Sequence, residues 1–163
     1  MSGTTESDLA WLRRTFELAC ASVDAGDQAF AALLVDGNGR LLVEAANRRE
    51  RSGDCTAHAE TDIAREATLR WTRVELAGCT MFSSTEPCPM CSGAIGWSGV
   101  GRLVYGLSQR RMYEVYAGNT PRWAEPPSCR AILATVVPPL EIVGPLLEGE
   151  AVEPHRYWVK VNT

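Results

Sequence analysis

Lysine is nearly missing from this sequence, which contains it only at Lys160. The formal net charge is −4, so a groove that binds many phosphates would have to be built from arginine alone. Local arginine pairs such as Arg110 and Arg111 do occur. We therefore expect a small ligand as the partner rather than a nucleic acid.

Long apolar runs are missing as well. The longest, such as Ala29 to Val35, fall far short of the ~20 residues that a membrane-spanning helix needs. The N-terminal stretch carries Glu6 and Asp8 rather than a basic region followed by an apolar one, which argues against a secretory signal. We expect no membrane partner and a cytoplasmic location.

A second pair of closely spaced cysteines is also missing. Cys88 and Cys91 form one such pair, and the other cysteines stand singly, at Cys20, Cys55, Cys79 and Cys129. This argues against a structural zinc site made of two pairs, while a redox pair and two buried thiols remain open as interpretations. Disulfide frameworks belong to short secreted chains, so we expect the four single cysteines to be reduced and mostly packed.

The rest of the composition is typical of an ordinary globular protein. With 163 residues, 45% of them apolar, we expect one domain over residues 1–163. The patterns predict helices over 7–24, 57–70, 87–97 and 108–116, and strands over 29–35, 40–45, 79–84, 102–106 and 140–143. Ser7 and Thr56 are the expected caps of the first two helices. Residues 118–128 are predicted to form a loop.

Two short motifs carry groups that suit catalysis. His58 and Glu60 stand near the start of the second helix, and the stretch from Glu86 to Cys91 leads into the third. His58 with the two cysteines supplies three zinc ligands, which leave the fourth tetrahedral position open for water. Glu60 is then free to carry protons. This combination matches the signature of zinc deaminases that act on nucleobases.

The spacing sets a geometric condition on these groups. His58 and Glu60 lie about 200° apart on an ideal helix, so they converge only if both lie in the first turn. Cys88 and Cys91 are three residues apart and project on one side of a helix start, where Pro87 or Pro89 fits the first turn. A helix N-terminus also favours thiolate over thiol.

A non-catalytic zinc-stabilised module is the alternative from a different class. A structural site would normally recruit a fourth protein ligand. Cys55, three residues before His58, is the candidate for it. Such a site would have no need for Glu60.

Two further features suggest where a ring could bind. Phe30 stands among the small residues of 29–32, which would let a flat ring approach the backbone, although tight packing of this strand explains them equally well. Asn47 offers both a donor and an acceptor, as recognition of a heterocycle edge requires, but asparagine is also common in loops. The arginines of 48–51 are typical of a solvated loop unless the substrate carries a phosphate.

The motif residues that carry a family resemblance are Thr56-Ala57-His58-Ala59-Glu60, Glu86-Pro87-Cys88-Pro89-Met90-Cys91, and Gly93-Ala94-Ile95 with Trp97. They resemble the cytidine deaminase-like superfamily, and within it bacterial guanine deaminases, which are related to tRNA adenosine deaminases. The resemblance implies an α/β protein, a three-layer α/β/α fold with a five-stranded mixed sheet, and a homodimer. It also implies zinc on His58, Cys88 and Cys91, with Glu60 as the proton shuttle.

The resemblance implies substrate contacts at further positions. Asn47 matches the base-contacting asparagine of the family, and Ala57, Glu86 and Trp97 belong to its motifs. In that family a C-terminal tail from the neighbouring subunit can cover the active site. Tyr157 or Trp158 would have this role here, unless they dock on their own subunit.

The sequence departs from the family pattern in two places. The usual Pro-Phe-Gly-Ala segment is replaced by residues 29–32. Guanine deaminases also place an acidic residue after the fourth strand, where this chain has Ala117 and Gly118. Glu114 and Glu125 are the nearest substitutes for that acidic residue.

These observations predict a zinc-dependent hydrolytic deaminase of an amino-substituted nucleobase or similar heterocycle, which releases ammonia. Guanine is the leading substrate. The alternatives are deamination of adenosine in tRNA and deamination of cytosine or a nucleoside.

Overall fold

A computed structural model describes residues 3–116 and 126–163 of the chain. The strands in this part are β1 (Ala31–Val35), β2 (Leu41–Ala46), β3 (Thr80–Thr85), β4 (Arg102–Leu107) and β5 (Glu141–Val143). The helices are α1 (Glu6–Asp24), α2 (Arg49–Ser52), α3 (Ala59–Arg70), α4 (Arg73–Leu76), α5 (Pro89–Ser98), α6 (Gln109–Val115), α7 (Cys129–Leu133), α8 (Glu148–Ala151) and α9 (Glu153–Asn162).

The strands form one mixed sheet in the order β2-β1-β3-β4-β5. β1 runs antiparallel to β2 and β3, whereas β3, β4 and β5 are parallel. Parallel neighbours need a crossover connection, which α5 provides between β3 and β4. The carboxyl ends of β3 and β4 therefore meet at one edge of the sheet, just before Glu86 and Ser108.

Helices cover both faces of the sheet. On one face α3, α5 and α7 pack through Ile63, Ile95 and Leu133, and on the other α1, α6 and α8 pack through residues such as Leu12 and Met112. Every residue of β1 is buried because its alternate side chains enter both layers. The predicted three-layer fold with a five-stranded mixed sheet is confirmed. No helix within the described residues has the length and apolar character that crossing a bilayer requires.

Helix starts differ from the sequence prediction. Thr5, not Ser7, caps α1, because its side chain accepts the Asp8 N–H while the Asp8 carboxylate accepts the Thr5 N–H. Thr56 does not cap α3. Its side chain bonds to Asp54, and His58 occupies the cap position.

The C-terminal region is more helical than expected. The stretch that contains His155, Tyr157 and Trp158 is the helix α9, which packs against α1. Pro154 lies in its first turn, where the missing N–H costs nothing. Of the predicted loop 118–128, residues 118–125 lie outside the described part of the chain.

A buried ion pair ties the start of α1 to β4. Asp8 is 4% exposed, and its two carboxylate oxygens accept from the Arg102 guanidinium at 2.7 and 3.1 Å. Burial alone would raise the pKa of Asp8, but the hydrogen bonds from Arg102 and Thr5 outweigh it and lower the pKa below 3.8. The pair therefore stabilises the fold while Asp8 is ionised.

We expect Asp8→Asn to lower the free energy of unfolding by about 2 kcal/mol at pH 7, because the Arg102 contacts lose their charge. A pKa that is lowered in the folded state gives stability above the ordinary value of 3.8 and loses it as the pH falls. Urea unfolding at pH 7 and near pH 3 measures both effects. Glu17→Gln, which alters an exposed pair with Arg14 on the same helix, is the control and should change little. A deficit of equal size at both pH values would contradict this role.

Candidate active site

Three metal-binding side chains meet at the starts of two helices. His58 is the cap residue of α3, Cys88 is the cap residue of α5, and Cys91 lies in the first turn of α5. The Nδ1 atom of His58 lies 3.7 Å from Sγ of Cys88 and 3.5 Å from Sγ of Cys91. All three ligand atoms lie within 4.8 Å of one another.

These separations fit a tetrahedral zinc ion. Zinc bonds of about 2.3 Å to sulfur and 2.0–2.1 Å to nitrogen place such ligand atoms roughly 3.5 Å apart. Within residues 3–116 and 126–163 the cluster contains three residues, and Cys55 is not among them. Three protein ligands leave one tetrahedral position open, as in catalytic rather than structural zinc sites.

The two thiols have opposite tendencies to ionise. A hydrogen bond from Cys91 is the largest factor that lowers the pKa of Cys88, and His58 adds to it, although burial opposes both. The same hydrogen bond, together with burial, raises the pKa of Cys91. Without metal the pair thus favours one thiolate and one thiol. Zinc binding would release the second proton.

Glu60 lies beside the metal-binding cluster in the first turn of α3, as the sequence geometry required. It is buried, and Ser83 Oγ donates to its carboxylate at 2.8 Å. Burial raises the pKa of Glu60, as does the nearby Cys88, whereas the hydrogen bond from Ser83 opposes the rise. A carboxyl group in this position can accept a proton and return it.

A cavity of about 490 Å³ opens over these groups. His58, Glu60, Cys88 and Cys91 form its floor. Its other lining residues come from several segments of the chain and are Gln28, Phe30, Arg49, Cys55, Glu86, Pro89, Met90, Gln109, Met112, Tyr113, Tyr116 and Trp158. The size suits a flat heterocycle rather than a macromolecule.

Among the predicted substrate contacts, Phe30, Glu86 and Trp158 line the cavity. The Glu86 carboxylate already accepts two backbone N–H groups, those of Gln109 and Cys129, each at 3.1 Å. It therefore fixes α6 and α7 around the cavity. This use of both oxygens argues against Glu86 as a free acceptor for substrate.

Asn47 and Ala57 lie buried behind the cavity rather than on its surface. The Asn47 side chain accepts the Arg49 N–H at 2.8 Å through Oδ1. Its Nδ2 atom is buried and has no hydrogen-bond partner within the described residues. A buried amide donor without a partner is costly, and Asn47 is not among the residues that line the cavity.

Three predicted contacts lie away from the cavity. Trp97 is 84% exposed near the end of α5, Glu114 is exposed beside Arg110, and the Tyr157 hydroxyl donates to Asp24 of α1. They fail to reach the cavity because their helix positions point outward or toward α1. Glu125 lies outside the described residues.

The loop arginines have three different environments. Arg48 pairs with Asp62 at 2.7 Å, Arg51 pairs with the buried Asp27, and Arg49 lines the cavity. Asp27 also accepts the N–H groups of residues 50 and 51. The loop is therefore held in place rather than freely solvated.

Several lining residues were missed by the sequence analysis. Gln28 lies before β1, whereas Gln109, Met112 and Tyr116 lie on α6 or at its end, and none of the four belongs to a motif. The placement of Gln109 and Tyr116 on the short helix after β4 was the one available signal, because strand ends of parallel sheets commonly carry binding groups.

The stretch that contains the metal ligands matches a known family. Residues 5–107 match the model described as the cytidine and deoxycytidylate deaminase zinc-binding region. The chain belongs to this family. The deaminase is 40% identical to a probable cytosine deaminase of Schizosaccharomyces pombe over 97% of this chain and 98% of that protein.

Two further proteins are similar to this deaminase. The guanine deaminase of Bacillus subtilis is 40% identical over 96 residues, which are 58% of this chain and 61% of that protein. The guanine deaminase of Nitrosomonas europaea shares the fold, with a TM-score of 0.77 at 23% identity over 97% of this chain and 86% of that one. Membership of the family makes the protein a zinc-dependent deaminase.

We expect Glu60→Gln to lower the deamination rate at least ~100-fold with the zinc content unchanged, because the amide cannot take a proton. Turnover per zinc, with metal measured by mass spectrometry, is the readout. Cys88→Ala is the contrasting variant, which should lose zinc and thermal stability together. A zinc-loaded Glu60→Gln protein with wild-type turnover would refute the role of Glu60.

Proposed function

We propose that this deaminase hydrolyses the exocyclic amine of a free nucleobase, with guanine as the leading substrate. The observation that carries the proposal is the position of Glu60, a buried carboxyl group, beside a metal-binding cluster of three residues. Both face a cavity sized for a ring. A structural zinc module would need neither Glu60 nor the cavity.

The proposed chemistry assigns one task to each group. Zinc held by His58, Cys88 and Cys91 would supply Lewis acidity, which makes water a nucleophile at neutral pH. Glu60 takes one proton from water and delivers it to a ring nitrogen. It then takes the remaining proton from the hydroxyl group added to the ring and passes it to the departing amine. Ser83 holds the Glu60 carboxyl group in place during both transfers. Ammonia leaves and a carbonyl group remains on the ring.

The residues that line the cavity are suited to bind a flat ring that carries an amide group, as guanine does. Phe30, Tyr116 and Trp158 provide aromatic surface, and Gln28 and Gln109 are the amides on the lining. An amide can both donate to and accept from the edge of guanine. We propose that these amides replace the acidic residue that guanine deaminases place after the fourth strand.

Cytosine is the second candidate substrate. The relative from Schizosaccharomyces pombe, a probable cytosine deaminase, matches along nearly the whole chain. That match includes residues beyond 107, where Gln109, Tyr116 and Trp158 line the cavity. The guanine deaminase of Bacillus subtilis matches over 58% of the chain.

Deamination of adenosine in tRNA is the less favoured alternative. The chain has one lysine and a net charge of −4. Several of its arginines are engaged in ion pairs, including Arg13, Arg14, Arg48 and Arg51. Within residues 3–116 and 126–163, a long phosphate backbone would therefore find few unpaired cations.

Ammonia release from the zinc-loaded protein tests the substrate. The panel is guanine, adenine, cytosine, their nucleosides and a tRNA anticodon stem-loop. We expect guanine to give the highest kcat/KM, because its double ring fills the cavity better and offers more edge groups to the glutamine amides. Preference for cytosine would establish the second candidate, and inosine formation in the stem-loop as the main activity would overturn both.

We also propose that the deaminase is a homodimer that pairs through α5. This helix contains no charged residue, and Met90 and Trp97 are exposed on it, with Gly93 and Ala94 between them. These positions recur at three or four residues and share one face. A large exposed tryptophan on an uncharged helix face is typical of an interface.

We expect Trp97→Glu to convert a dimer into a monomer, because a carboxylate would be buried without a partner. Size-exclusion chromatography with light scattering measures the mass. Val161→Glu changes a valine that is 52% exposed on α9, in the other helix layer, and should leave the dimer intact. A monomeric wild-type protein, or a dimeric Trp97→Glu variant, would contradict the proposal.

A further inference from the structure

His155 is a buried histidine that the deamination chemistry does not use. It lies in the first turn of α9 and is 0% exposed. Its Nε2 atom is 2.8 Å from Oγ1 of Thr85, and its Nδ1 atom is 2.9 Å from the hydroxyl of Tyr116. Burial lowers the pKa of His155 to about 4, so the ring is neutral at pH 7. A neutral imidazole has one donor and one acceptor, and a hydroxyl group meets each.

The imidazole stands directly behind part of the cavity wall. The ring of Phe30 contacts it edge-on at 5.1 Å between centroids, and the ring of Tyr116 does so at 5.5 Å. Trp158 packs in the same way on Tyr116 at 5.2 Å. All three of these aromatic residues line the cavity, whereas His155 does not. We call Phe30, Tyr116 and Trp158 the aromatic wall.

The hydroxyl of Tyr116 is committed to His155. It is therefore turned away from the ligand, and the tyrosine contributes its ring to the wall rather than a polar group. A ring surface of this kind binds a flat heterocycle by stacking or edge contact. If the hydroxyl lost its partner, it would be free to turn and the wall would change shape.

Thr85 connects this arrangement to the strand that leads to the metal ligands. It is the last residue of β3 and is followed by Glu86, Pro87 and Cys88. One side chain from α9 thus joins the end of β3 to the end of α6. The position of α9 and the shape of the aromatic wall are fixed by the same two hydrogen bonds.

We propose that His155 is a positioning residue for substrate binding, which holds the aromatic wall through Thr85 and Tyr116 and makes affinity for the ring depend on docked α9. The inference rests on the proposed function for the kind of ring that is bound. It differs from a purely structural role, because a structural histidine would affect stability and leave KM unchanged. It acts on binding, since its direct contacts are the hydroxyl groups of Thr85 and Tyr116 and the ring of Phe30, and none of these is a metal ligand or Glu60.

Four variants separate these roles. Tyr116→Phe removes one hydroxyl group and keeps the ring, and Thr85→Val removes the other hydroxyl group. His155→Leu removes both hydrogen bonds, whereas His155→Gln keeps a donor and an acceptor. Arg156→Gln is the control on the same helix, because it alters an exposed pair with Glu153 inside α9 rather than a contact with another element.

Two readouts are taken on zinc-loaded protein. Steady-state kinetics on the preferred base give KM and kcat separately, and hydrogen exchange of residues 153–162 reports how firmly α9 is docked. We expect Tyr116→Phe and His155→Leu to raise KM about tenfold and to change kcat by less than about twofold. The free energy of one buried hydrogen bond corresponds to about a tenfold change in an equilibrium constant. Exchange in α9 should become faster. His155→Gln should bring KM part of the way back to the wild-type value, and Arg156→Gln should keep the wild-type KM.

Each outcome decides the question. Faster exchange with wild-type KM in Tyr116→Phe and His155→Leu would make His155 structural only and overturn the proposal, as would unchanged exchange in both. If His155→Leu does not fold, Tyr116→Phe and Thr85→Val decide by the same criteria. A wild-type protein that turns over no base would refute the proposed function, and the exchange rates would then decide whether His155 holds α9.

Discussion

The site depends on one constraint, which is that the N-termini of α3 and α5 must lie next to each other. His58 occupies the cap position of α3 and Cys88 that of α5, so helix starts rather than flexible loops place the metal-binding atoms. The polar N–H groups of each first turn favour the negative charge of thiolates and carboxylates there. The sheet keeps the two helix N-termini close together, because β1 and β3 are paired and α3 and α5 pack on the same face of the sheet. Any shift of either helix would separate the ligands.

The metal centre could be predicted because its information is local in the sequence. Spacing of two and three residues fixes which side of a helix start His58, Cys88 and Cys91 occupy. Glu60 followed from the same reasoning, and the structure meets the required geometry. The sheet was also predictable, since strands such as β3 and β4 are short apolar runs between glycine or polar turns. The observed strand ends differ from the predicted ones by one or two residues, because pairing with neighbouring strands rather than local residue preference sets where a strand ends.

The cavity wall could not be predicted in the same way, because its residues come from several segments of the chain that only tertiary packing brings together. Trp97 illustrates the limit, since a motif match places it near the metal ligands in sequence while helix periodicity turns it outward. Tyr116 and His155 illustrate the reverse, because only tertiary packing brings them together. The helix α9 had one usable signal, Pro154 near its start, which the aromatic content of the segment obscured.

The family match ends at residue 107, and Gln109, Tyr116 and Trp158 come after it. The chain is thus divided between an N-terminal block that contains the metal-binding cluster and Glu60 and a C-terminal block that supplies part of the cavity lining. Mutations in the second block can accumulate without touching zinc or Glu60. A lineage with this arrangement can exchange one heterocycle for another while its chemistry stays the same, and likeness confined to the first block reveals the reaction but not the molecule that undergoes it.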